Sequence, residues 1–248
     1  VTSSHLREIV RHLAPVVVAV ALVATLAACG GDEPSGPTLA PDVDTILGAA
    51  AETMGTVDTV RFTIERGGAP VYIDPLDALE FVSAEGRFAQ PSSADAVVVL
   101  GVGDIRAQIG AIAIDGETWL TNPVTGTWEP APAGYTFDPA ILFDPELGWR
   151  PLLASELTDA ELIGLEEHGD TELYHVRGQA DEDRIAVITA GLVSQDVPLD
   201  LWLDPVDGAV REATFSTLYR GEESDWTLTF FDYGGDIVIE VPDLEGDG

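Results

Sequence analysis

The chain has 248 residues, a formal net charge of −33 and no lysine; its 11 basic residues are all arginine. This acidic excess excludes nucleic acid as a partner, because nothing would neutralise the phosphates, and excludes electrostatic attachment to an anionic membrane surface. With one cysteine, Cys29, no intramolecular disulfide can form, so the fold depends on its apolar core.

In chain order, Arg7 and Arg11 precede a nearly uncharged apolar run over 13–28. The run has signal-peptide proportions and is short for a membrane span. It ends in Leu26-Ala27-Ala28 directly before Cys29, which resembles a bacterial lipobox. Residues 1–28 are therefore expected to leave as a lipoprotein signal peptide. The Cys29 thiol would receive a diacylglyceryl group, and its acyl chains (palmitate or similar) would hold the protein at the membrane. One chain holds only marginally, whereas two or more anchor stably. Residues 29–41 read as that lipidated cysteine and a flexible Gly/Pro/Asp tether.

The domain expected over 42–242 opens with a helix over 42–55: Val43, Ile46, Leu47, Ala50 and Met54 recur at helical spacing, and Asp42 can cap. Alternation predicts a strand over 60–65, closed by Gly67-Gly68, and further strands over 79–90, 94–101, 105–114 and 117–121. Asp115-Gly116 is a hairpin turn pair. Asp138-Pro139 and Asp144-Pro145 predict short apolar helices over 139–143 and 145–155. Strands are then expected over 160–168, 171–178, 197–204, 209–219, 226–233 and 236–241, with a short helix over 185–192 and a polar tail over 243–248. The plan is α+β: an antiparallel meander of about ten or eleven strands. A sheet so wide must curl, and apolar helices then cover its concave face.

Several segments carry a resemblance. The lipobox, the tether, VRFTIE at 60–65, AEGRF at 84–88 and DPELGWRPLL at 144–153 are among them. So are DLWLDPVDGAVREATF at 200–215 and IVIEVP at 237–242. Together they resemble the actinobacterial lipid-carrying lipoproteins of the LppX/LprG type. The resemblance implies a U-shaped antiparallel half-barrel with helices packed into its concavity and an apolar cavity between. It also implies an acylated lipid or glycolipid ligand, transport across the cell envelope from the extracytoplasmic face of the cell membrane, and a membrane lipid transporter as partner. Extra cysteines that could pair in some members are absent here.

A groove for acyl chains must be apolar and incompletely filled, since each sheltered methylene contributes about 0.8 kcal/mol. Candidates for its lining are Phe62, Ile64, Val97, Val99, Ile109, Ile112, Ile114, Leu142, Leu147, Leu153, Phe215, Leu228 and Phe230. An ordinary packed core would use the same residues, and the strand register that decides between faces is not legible in the sequence. Trp149, Trp202 and Trp226 suit either a cavity mouth or ordinary packing. Catalysis is not expected. Outside the leader only His168 and His175 remain as general bases, no Gly-x-Ser-x-Gly elbow exists, and no metal-ligand spacing or phosphate loop is present. No cofactor is expected. The alternative to a carrier is a structural or protein-interaction envelope lipoprotein with a closed core.

Overall fold

A computed structural model describes residues 41–73, 76–132, 139–189 and 191–244. Cys29, the leader, most of the tether, Asp138 and the last four residues lie outside the described residues.

Helix α1 (Val43–Met54) begins at Asp42, whose Oδ1 accepts from the Thr45 amide at 2.9 Å, and it buries Ile46, Leu47, Ala50, Ala51 and Met54. The strands are β1 (Thr59–Gly68), β2 (Val71–Tyr72), β3 (Glu80–Ala89), β4 (Ser93–Val102), β5 (Ile105–Ile114), β6 (Glu117–Thr121) and β7 (Trp128–Pro130). After a helical segment come β8 (Thr158–His168), β9 (Thr171–Ala180), β10 (Val197–Leu203), β11 (Val210–Tyr219) and β12 (Glu222–Phe231), with α3 (Glu182–Ile188) between β9 and β10. The β5–β6 hairpin turns on Asp115 and Gly116, both at positive φ, as the Asp-Gly pair requires.

All pairings are antiparallel and form one sheet in the order β7-β6-β5-β4-β3-β1-β12-β11-β10-β9-β8, with β2 on β3. The first strand is therefore central. Phe62 faces Gly86 of β3 on one side and Phe230 of β12 on the other. The chain builds outward from β1 to the β7 edge, restarts at the opposite edge with β8, and meanders back to β12. The connection from β7 to β8 must cross the whole sheet. It does so as a 3-10 helix (Pro139–Phe143), a single turn α2 (Trp149–Pro151) and a π-helical turn (Leu152–Glu156). These pack on β3, β4, α1 and α3.

The structure corrects several expectations. The single helix over 145–155 is broken. Asp144 Oδ1 accepts from the Glu146 and Leu147 amides, and Gly148 lies so close to the Leu142 carbonyl that a Cβ there would be 2.2 Å from its oxygen. Residues 236–241 form no strand, because β12 already pairs with β1 and β11 and leaves no edge for them. The helix expected over 185–192 starts earlier, where the Asp181 side chain caps the Arg184 amide at 2.9 Å. Gly67 and Gly68 belong to β1, and the short strands β2 and β7 bring the strand number to twelve.

Candidate functional site

Register decides what each face of the sheet offers. Toward the helices, one row runs Val176, Leu201, Ala213, Leu228, Ile64, Ala84, Val98, Ile109 across eight paired strands, from β9 to β5. The next row, two residues along each strand, runs Phe230, Phe62, Gly86, Ala96, Ala111, Leu120. Every position in these two rows is apolar. Most are buried, but Val98, Ile109 and Leu120 remain half-buried, so the covering layer does not seal the face toward β5 and β6.

Small residues shape the β3–β5 half. Gly86, Ala94, Ala96, Ala111 and Ala113 leave depth that aromatic rings fill, and a Cβ on Gly86 would stand 2.4 Å from Phe62 Cζ. Phe143, at the end of the 3-10 helix, is the central plug. Its ring lies 4.7 Å from Phe88, 6.1 Å from Phe62 and 5.9 Å, edge-on, from Phe230. Trp149 meets Phe230 edge-on at 5.3 Å and is fully buried, yet its indole N–H finds no hydrogen-bond partner among the described residues. Arg184 of α3 ties this crossover down, binding the Glu156 carboxylate and the Leu147 carbonyl.

The structure thus divides the thirteen candidate residues. Phe62, Ile64, Ile109, Phe215, Leu228 and Phe230 lie on the helix-facing side of the sheet. Leu142 and Leu153 are buried in the crossover, whereas Leu147 is 48% exposed at its surface. Val97, Val99, Ile112 and Ile114 point to the opposite face, because they alternate with the helix-facing Val98, Ala111 and Ala113. Sequence reasoning missed Phe88, Phe143, Val98 and Leu120. The alternation in β4 and β6 held the signal for the last two once a neighbouring strand was placed. The 3-10 helix, too short for a period, held none for Phe143.

The opposite face carries the two described histidines. His175 is buried, with Nδ1 3.1 Å from Glu166 Oε2 and Nε2 2.6 Å from Asp200 Oδ1; Arg177 Nε donates to the same Asp200 oxygen at 2.9 Å. His168 Nε2 lies 3.2 Å from Glu212 Oε1. Both rings stack on Trp202 at 4.7 Å, so Trp202 sits between them on this face. Trp226 is buried in the core, its Nε1 donating to Thr217. The histidine partners are thus carboxylates carried by other strands: Glu166, Asp200 and Glu212. Among the described residues no group of three or more His, Cys, Asp or Glu is placed to hold a metal ion. No described helix is long and apolar enough to cross a membrane.

Comparison with known proteins agrees with this architecture. The LppX_LprAFG lipoprotein model matches residues 42–239. The lipoarabinomannan carrier protein LprG of Mycolicibacterium hassiacum is 26% identical over 224 residues, covering 89% of this chain and 93% of that protein. The crystal structure of LprF from Mycobacterium bovis superposes with a TM-score of 0.60 at 15% identity, over 82% of this chain and 96% of that one. LppX from Mycobacterium tuberculosis gives 0.56 at 12% identity, over 80% and 98%. The open antiparallel sheet with few helices is the fold of those two structures, and the family match spans nearly the whole of that sheet. The chain therefore belongs to the LppX_LprAFG lipoprotein family.

Proposed function

We propose that this protein is a lipid carrier, anchored through Cys29 to the extracytoplasmic face of the cell membrane, that holds an acylated lipid or glycolipid between the sheet and the helical crossover. In this reading residues 1–28 are the signal peptide, 29–41 the lipidated cysteine and tether, and 42–242 the lipid-binding domain. The sheet curls into a half-barrel around the ligand, no covalent chemistry takes place, and a membrane transporter is the expected partner. Family membership and the carrier named among its relatives support it.

One observation carries it furthest: the helix-facing side is apolar from β9 to β6, yet its β5–β6 end is left half-buried. An ordinary core would have covered that surface. The segments over it are too short to be stable alone and are fixed by side-chain contacts, chiefly those of Phe143 and Arg184. A ligand tail entering beside Ile109 and Leu120 would take the place of Phe143 against Phe62 and Phe88. Each methylene so sheltered contributes about 0.8 kcal/mol, enough for a long chain to offset the displaced ring contacts.

Mass spectrometry of the protein lacking residues 1–29, purified from an actinobacterial host, tests this. Stoichiometric diacyl or triacyl species are expected. A lipid-free protein that also fails to take up such lipids from vesicles would overturn the reading.

A further inference from the structure

The sheet face turned away from the helices carries a solvent-open hollow of about 360 Å3 over β1, β3, β4 and β5. That volume lies at the lower end of small-molecule sites. Its floor is aliphatic: Val97, 46% exposed, beside Ile112. One wall is the Trp128 indole of β7, which lies across Gly110. A Cβ on Gly110 would be 2.8 Å from Trp128 Cη2, so glycine is what lets the ring settle there. The Gly110 amide donates to Thr121 Oγ1 at 2.7 Å, which fixes this corner of the sheet.

The polar walls are mixed in sign, in a chain with net charge −33. Arg61 and Arg87 stand here with Glu85 and Asp95, and Arg61 Nε donates to Asp232 Oδ2 at 2.9 Å. Arg87 commits Nε and Nη2 to Asp95, and a guanidinium has five N–H groups, so donors remain on one partner and lone pairs on the other. An anion in the hollow would meet two carboxylates, and a cation two guanidiniums. An alkyl chain would strip water from all four at a cost of several kcal/mol. A neutral polyhydroxylated ring meets every wall. Its hydroxyls donate to carboxylates and accept from guanidiniums, while its C–H face lies on the indole and the aliphatic floor.

The geometry points to a saccharide site: a neutral pyranose unit, free or within an oligosaccharide, seated on Val97 and Trp128 and held at its hydroxyls by Arg87, Asp95 and Glu85. This goes beyond the carrier reading and does not depend on it, since the site lies on the opposite face of the sheet from the proposed acyl groove.

Calorimetric titration of the full chain in a sugar-free zwitterionic detergent tests it, with mannotriose, maltotriose, inorganic phosphate and hexanoate as separate probes. Saturable binding of a trisaccharide is expected. Trp128→Phe or Asp95→Asn should weaken it at least about tenfold, equivalent to about 1.4 kcal/mol. Val206→Asp, in the exposed turn between β10 and β11, should leave it unchanged. Circular dichroism checks each variant, and the near-isosteric Asp95→Asn serves if Trp128→Phe does not fold. No saturable binding of either trisaccharide overturns the inference. So does binding that both site variants leave intact, binding that Val206→Asp weakens as much, or tighter binding of phosphate or hexanoate. Lipid content measured on the same samples separates this outcome from that of the carrier reading, because none of the sugar probes has an acyl chain.

Discussion

Trp149 is fully buried beside Phe230, and no described group accepts from its indole N–H. An unpaired buried donor contributes nothing and carries its desolvation cost of about 1–3 kcal/mol. Trp149→Phe keeps most of the packing while deleting that donor, so it should change stability by less than about 1.5 kcal/mol. Trp149→Ala should cost about 3–5 kcal/mol, because it opens a cavity against α1 and Phe230. Urea denaturation of the two variants decides; equal losses would mean that the N–H has a partner. Asp204 offers a pH test. Burial pushes its carboxyl up, but the Val206 amide and the Arg211 guanidinium together outweigh this and hold it below the usual 3.8. A depressed carboxyl contributes stability above about 3.8 that is lost as pH falls through its lower folded value. Asp204→Asn should thus destabilise the protein at neutral pH. Its deficit against the parent should shrink below about pH 4 in urea midpoints measured across the range.

At the scale of elements, hydrophobic alternation was enough to find most strands, and Asp42 and Asp115-Gly116 acted where their chemistry predicts. The errors fell where a partner decides. Residues 236–241 alternate like a strand but reach a β12 whose two edges are already taken. The segment 145–155 has helical composition, yet the close approach of Gly148 to Leu142 and the following Pro151 restrict it to a turn and a π-helical turn. That makes the crossover the least self-sufficient element, with α3 holding it through Arg184 alone among the arginines of α3 and β9. Arg184→Gln should therefore speed amide hydrogen exchange over Trp149–Pro151 and Leu152–Glu156 while leaving β10 and β11 at parental rates. Exchange that accelerates equally in the central strands would mean that the crossover opens only with global unfolding.

For the whole molecule, the carrier reading joins an anchor to a domain. Twelve residues separate Cys29 from α1's cap at Asp42, and a fully extended chain of that length would reach about 40 Å. In that reading the leash would keep the domain at high effective concentration near its donor membrane. Cys29→Ser should move the protein from the membrane fraction to the soluble one, read by fractionation and immunoblot. The domain should keep its melting temperature, because every described strand and helix begins at Val43 or later in the chain. Persistence in the membrane fraction would point instead to an uncleaved leader as the anchor.

The sequence by itself determined the acidic character, the single cysteine, the strand-rich composition and the family. These depend on residue type and local spacing, which need no partner to act. Tertiary structure decided that β1 lies at the centre of the sheet, that the β7–β8 connection crosses it, and therefore which face the helices cover. It also decided that Val97 and Ile112 face away from Phe62 while Val98 and Ile109 share its side. A strand's period of two tells which residues travel together but not which set turns inward; only pairing with a neighbour and the cover laid over it break that tie.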